Sequence, residues 1–347
     1  MKAKNIIVIL LILCVFLLFF TNAKEINSAL KESLLFSINN VICSIFPFMM
    51  LSSIIINSYI IEKQLISLKI NCLYKLGICK IYLPSILLGS VSGYVTGAKC
   101  IRDIYCKNYT DSTSLTNAII LSSNAGIGFV IVCIGMKIWN SSLFGIFLYL
   151  FQILTSLFIG RYILPKSNDI YNLSKTDKID YLKSFTDAIS SCAYSSFLIV
   201  SFIASFSVII TALTSLFPLS FRDTASSFLY FFLEFCNGSF KSVSFGNTSL
   251  CAFLTGFTAG FGGLCVHFQI FSVCSDLPLN RRLFVLVKLL HGIILGIISL
   301  ALVNVLKITP STQASVSLQG QYTYPISLIT LSLILIGLVI KFYKSHA

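Results

Sequence analysis

Gly89-Ser-Val-Ser-Gly93-Tyr-Val-Thr-Gly97 and Gly256-Phe-Thr-Ala-Gly260-Phe-Gly-Gly263 are two glycine-spaced stretches set 167 residues apart in a very apolar chain. The shift that lays Gly89 on Gly256 and Gly93 on Gly260 also lays Tyr94 on Phe261 and, further on, Asn124 on His291. Glycine inside an apolar segment does one of two things. It lets helices pack closely in a small-xxx-small pattern, or it breaks the helix and frees backbone groups to meet a solute. Two such stretches in register, each followed by polar residues, favour the second use and predict an internal repeat around a site near the bilayer midplane.

Composition sets the class. Of 347 residues, 56% are hydrophobic and 11% are charged. A soluble domain carries about 25% charged residues, so this chain reads as an integral membrane protein. Lys and Arg number 25 against 12 Asp and Glu. The excess clusters in short connectors, where membrane topology and anionic headgroups account for it. The expected partners are therefore membrane lipid and a small-molecule solute, with no nucleic acid. Twelve cysteines are scattered without a C-x-x-C pair, and buried cysteine acts as a small hydrophobe. Cys265 and His267 lack a second pair of ligands. No metal and no cofactor is expected.

Along the chain, residues 1–33 read as an N-terminal anchor or signal-like segment, with Lys2 and Lys4 ahead of an apolar run. Residues 34–163 form a first repeat. Its opening run, 34–61, is about 42 Å long as a helix at 1.5 Å per residue. Pro47 and the pair Asn39-Asn40 predict a kink there. Residues 81–97 have basic flanks on both sides and read as re-entrant from the cytoplasmic face. Residues 115–135 and 142–163 then cross.

Residues 164–183 are the cytoplasmic linker, and 184–306 are the second repeat. Its long run, 188–213, begins on the opposite side from that of the first repeat, so the repeats are inverted. The aromatic segment 228–235 reads as interfacial, and its Glu234 as a satisfied interfacial acid, with a coupling carboxylate as the alternative. The second glycine stretch, 249–266, reads as re-entrant from outside. That leaves Arg281 and Arg282 outside, against the positive-inside rule. Residues 307–347 hold a loop and a last span at 324–340. The fold class is thus an all-α polytopic membrane protein with two inverted-topology repeats, each with a Gly-interrupted or re-entrant segment.

The candidate substrate-binding residues are Gly93, Tyr94 and Gly97 in the first glycine stretch and Ser123 and Asn124 in the apolar segment after it. In the second half they are Gly260, Gly262, Gly263, His267, Gln269, Lys288 and His291. Half-helix N-termini carry partial positive charge and suit an anion. Lys288 and His291 are three apart and share a helix face. His267 and Gln269 either meet a carboxylate or cap the half-helix. No catalytic residue is assigned and no enzyme is expected: H-E-x-x-H, G-x-S-x-G and the P-loop are all absent.

Four stretches together carry a resemblance: Ser92-Gly-Tyr-Val-Thr-Gly-Ala-Lys99, Ser123-Asn-Ala-Gly126, Gly260-Phe-Gly-Gly-Leu-Cys-Val-His267 through Gln269, and Lys288-Leu-Leu-His291. They resemble the YlbJ-type sporulation integral membrane proteins of the nucleoside-recognition, or Gate, superfamily. Val95 departs from the proline usual after the family's Ser-Gly-Tyr. The resemblance implies a fold met also in nucleoside carriers and in the ferrous-iron transporter FeoB. It implies a place in the mother-cell-derived membrane around the forespore, and movement of dipicolinic acid from mother cell toward forespore. A nucleoside-like solute, or a non-transporting role in spore-envelope assembly, is the alternative.

Overall fold

The computed structural model describes residues 15–57, 77–107, 110–166 and 181–311, with residues 9 and 13. Most of residues 1–14, most of the expected linker and the expected last span lie outside the described residues. Those described are helical, with no strand among them. Five helical stretches are long and apolar enough to cross a bilayer: Ala23–Ile55, Ser142–Tyr162, Leu182–Thr214, Thr248–Val273 and Arg281–Leu306. The protein is an all-α polytopic membrane protein.

The first long stretch comprises α1 (Ala23–Phe36), a π-helical turn (Ser37–Ile42) and α2 (Cys43–Asn57). The expected irregularity is there. It falls on Asn39-Asn40 and ends at Ile42, and Pro47, which has no N–H to return to the carbonyl four residues back, lies inside α2. The Ser44 hydroxyl donates to Val41 O at 2.8 Å, taking up one carbonyl of the widened turn.

Next come α3 (Leu83–Ser92) and α4 (Tyr94–Lys107), which fold back on each other as a hairpin turned at Gly93. Gly93 has φ +104°, a conformation that glycine alone adopts readily. The helices meet where Gly89 faces Gly97: a Cβ on either would lie within 3.0 Å of the other's Cα. Close packing is thus the work of Gly97.

The expected continuous crossing at 115–135 is broken instead. Helix α5 (Ser112–Ser122) ends at a non-helical stretch, 123–126, and the chain resumes as a π-helix (Phe129–Ile138). Helix α6 (Ser142–Tyr162) follows.

The second half opens with α7 (Tyr181–Thr214). Helices α8 (Leu219–Leu233) and α9 (Phe235–Lys241) then form a second hairpin, turned at Glu234. Within the segment 228–235, Phe228 and Phe232 are exposed, but the expectation of an interfacial acid at Glu234 is corrected here. Glu234 is only 1% exposed, because the hairpin tip is pushed into the protein.

Helices α10 (Thr248–Phe261) and α11 (Gly263–Val273) are separated by Gly262, with φ +82°. Both run antiparallel to α12 (Arg281–Leu306). Phe253 packs on Gly296, Gly260 on Gly292, and Phe271 on Phe284. The second glycine stretch is therefore a bent, through-going helix rather than a hairpin. The two glycine stretches that look equivalent in sequence do different jobs.

Polar contacts fix the ends of the bundle. Asn280 N donates to Thr116 Oγ1 at 3.2 Å, and Ser311 N to Ile138 O at 2.7 Å, so α5 with its π-helical continuation runs parallel to α12. Cys192 Sγ lies 3.4 Å from Ser53 Oγ. At the other end Arg222 pairs with Glu25 at 3.3 Å and donates to Ser215 O, so α1–α2 runs antiparallel to α7. Arg102 at the end of α4 pairs with Asp276 after α11 at 2.8 Å. Arg281 and Arg282 thus share one end of the bundle with Lys99 and Arg102, and the expected placing of these arginines on the far side is corrected.

Candidate functional site

Four interruptions in helices meet at one place. The tip of the first hairpin touches the break after α5, where a Cβ on Gly126 would lie 3.2 Å from Ser92 O. The tip of the second touches the break at Gly262-Gly263, where a Cβ on Gly263 would lie 3.1 Å from Phe235 N. The two tips meet through the rings of Tyr94 and Phe235, 5.6 Å apart and edge-on. Tyr94 also covers Gly262, and its hydroxyl donates to Ala259 O at 2.6 Å. Irregular backbone at membrane depth is tolerated only where protein or a water-filled cavity surrounds it.

A cavity lies at this junction. It is bounded by Ser92 to Thr96, Gly126, Glu234 to Cys236 and Gln269, with an apolar wall that includes Val41 and Ile199. Its volume is about 40 Å³, room for roughly three waters where each needs about 10–15 Å³. Helix α4 begins here with its first turn, Tyr94 to Thr96, against the cavity. The first N–H groups of a helix have no acceptor within it, and Gly93 has no side chain with which to cap them.

Interrupting a helix frees carbonyls as well, and side chains take them. At the first break Asn124 Nδ2 donates to Leu121 O at 2.8 Å, Lys288 Nζ to Ser123 O, and Gln152 Nε2 to Ala125 O at 3.0 Å. Around the second break Tyr94 serves Ala259 O, and His267 Nε2 serves Phe261 O at 2.9 Å. A buried carbonyl without a donor is costly. These polar residues are what let spanning helices stop and restart.

The sequence-derived candidates therefore separate into groups. Gly93, Tyr94 and Gln269 line the cavity. Lys288, Ser123 and Asn124 form a buried cluster beside it, in which Lys288 Nζ also reaches Asn124 Oδ1 at 3.5 Å. His291 Nε2 lies against α6, 2.9 Å from Thr155 Oγ1 and 3.2 Å from Gln152 O. His267 is boxed by the rings of Phe261, Phe271 and Phe284. Gly97 and Gly260 are helix contacts, and Gly262 and Gly263 shape the second break. The shared face of Lys288 and His291 is real, and both side chains are buried.

Glu234, which the sequence reading left outside the candidate binding set, also lines the cavity. Its carboxylate accepts from Cys236 N at 2.8 Å and from Asn237 N and Nδ2, each at 2.7 Å, capping α9. An acid set in an aromatic run, followed at once by the polar Asn237-Gly238-Ser239, was the available signal. Among the described residues no group of three metal-ligating side chains occurs. No family model, no curated protein and no solved structure matches the chain.

Proposed function

We propose that this protein is a carrier of the YlbJ-like kind, moving a small anionic solute, dipicolinic acid foremost, from mother cell toward forespore. One observation carries the transport reading: two hairpin tips and the break after α5 converge on one cavity, with the break at Gly262-Gly263 packed against the second tip. That is how broken-helix carriers build a midplane site. In this reading the protein has two inverted-topology repeats. Each holds a spanning helix, a re-entrant hairpin, a broken span and a further span. The first repeat is α1–α2, α3–α4, α5 with its π-helical continuation, and α6; the second is α7, α8–α9, α10–α11 and α12. Supporting it, the order of elements is the same in both, while α1–α2 opposes α7 and the two broken spans oppose each other. Gly93 then pairs with Glu234, and the 123–126 break with Gly262, in place of the glycine-to-glycine pairing read from sequence.

The anionic character of the solute is supported by the uncapped first turn of α4 at the cavity. Its identity, and the forespore setting, rest on the resemblance of residues 92–99, 123–126, 260–269 and 288–291. The test is exchange of labelled dipicolinate by the purified protein in proteoliposomes, with a nucleoside as the comparison. Saturable dipicolinate exchange is expected. Exchange of the nucleoside instead would move the assignment to the alternative solute. Exchange of neither, together with normal dipicolinate in forespores of a deletion strain, would leave an assembly role.

A further inference from the structure

Glu234 places a carboxylate on the cavity wall, where both of its oxygens also accept from the first turn of α9. Four other helices have side-chain N-caps, from Asp111, Ser141, Asn247 and Asn280. Three of those caps are uncharged, and none of the four lines the cavity. Helix capping is served best by Ser, Thr, Asp or Asn. Here a buried Glu starts a seven-residue helix, and burying a charge is costly unless it is paired. Both salt bridges among the described residues lie elsewhere.

Among the described residues no cation pairs with Glu234. The titratable groups facing it are Cys236 and Tyr230 on its own hairpin and Cys265 on α11. Tyr94 on α4 and Cys133 on the π-helix approach through Cys236. Lys241, at the far end of α9, stacks on the ring of Tyr230 4.9 Å away. Lys288 is engaged with the carbonyl of Ser123 at the first break. An anion entering this cavity meets a like charge and no fixed counter-charge on its wall.

We propose that Glu234 takes up a proton when the anionic solute binds, so that solute and proton cross together. The inference rests on the transport reading above and adds its energy source. The step is a simple protonation. The carboxylate accepts one proton from the acidic side, becomes neutral, and releases that proton on the other side when the solute leaves. An ionisable residue at membrane depth, beside a cavity and without an ionic partner, is where such a relay is expected.

Proteoliposomes carrying wild type or E234Q decide it. The glutamine keeps one of the two capping oxygens and removes the titratable group. Dipicolinate uptake is read at equal pH and with the outside more acidic, and the ratio of the two is the measurement. For wild type a ratio of several-fold is expected, and for E234Q a ratio of one. A wild-type ratio of one, or an E234Q ratio equal to that of wild type, would overturn the proposal. If neither protein exchanges dipicolinate at equal pH, the transport reading fails instead. The infrared carboxylic C=O stretch of the purified protein then still judges Glu234. A pH-dependent band lost in E234Q is expected, and an identical spectrum in the two proteins would sink the idea.

Discussion

At the scale of single residues, Gly93 and Tyr94 show how backbone and side chain share the making of a hairpin tip. Gly93 holds φ +104° and ψ 174°, and a Cβ there would meet nothing nearer than Gly126 N at 3.5 Å. Gly93→Ala should therefore destabilise through backbone strain alone, by about 1–3 kcal/mol. Tyr94→Phe keeps the ring against Phe235 and removes only the donor to Ala259 O. Its expected effect is smaller, about 0.5–1.5 kcal/mol. Thermal melts in detergent compare the two, and a larger loss for Tyr94→Phe would show that the hydroxyl, not the turn, governs the tip. Both residues were candidates in the sequence, and both line the cavity. Lys288, Asn124 and His267 were legible as unusual polar groups, but their use was not. Which carbonyl a donor reaches depends on where helices break, and that is set by packing between segments far apart in the chain.

At the scale of elements, the contact between α10 and α12 is the most extensive close approach in the described structure. Gly256, Gly260, Gly292 and Gly296 line it. A Cβ on Gly260 would sit 2.8 Å from Gly292 Cα and 2.9 Å from His291 O, both backbone atoms that cannot swing aside. Gly260→Leu should push the helices apart and lower stability by about 2 kcal/mol or more. Gly246→Ala is the contrasting change. It has φ +68° but open space around it, so only its backbone is strained. Equal melting temperatures for wild type and Gly260→Leu would refute the crossing. Apolar runs made most helices readable from sequence. The difference between a hairpin and a bent span was not readable, because it depends on whether the flanking helices pack on each other or on α12.

At the scale of the whole molecule, the directions of these helices decide the topology. Sequence alone placed 249–266 as a re-entrant segment, which stranded Arg281 and Arg282 on the outer side. With α10 and α11 running through, those arginines join Lys99 and Arg102 at one end of the bundle. The positive-inside rule then predicts that this end is cytoplasmic. Ser249 at the start of α10 and Ser275 after α11 are both exposed, so each can carry a reporter without disturbing the core. Cysteine is introduced at either position in a Cys106→Ser background, because Cys106 is itself exposed. A membrane-impermeant maleimide is then applied to intact cells and to opened membranes. Ser249→Cys should react in intact cells, and Ser275→Cys only after the membrane is opened. Reaction of both from the same side would restore the re-entrant reading and remove the inverted pairing of the two broken spans. Opposite sidedness would leave Gly262 at the middle of a crossing helix, where a break can serve a solute approaching from either face.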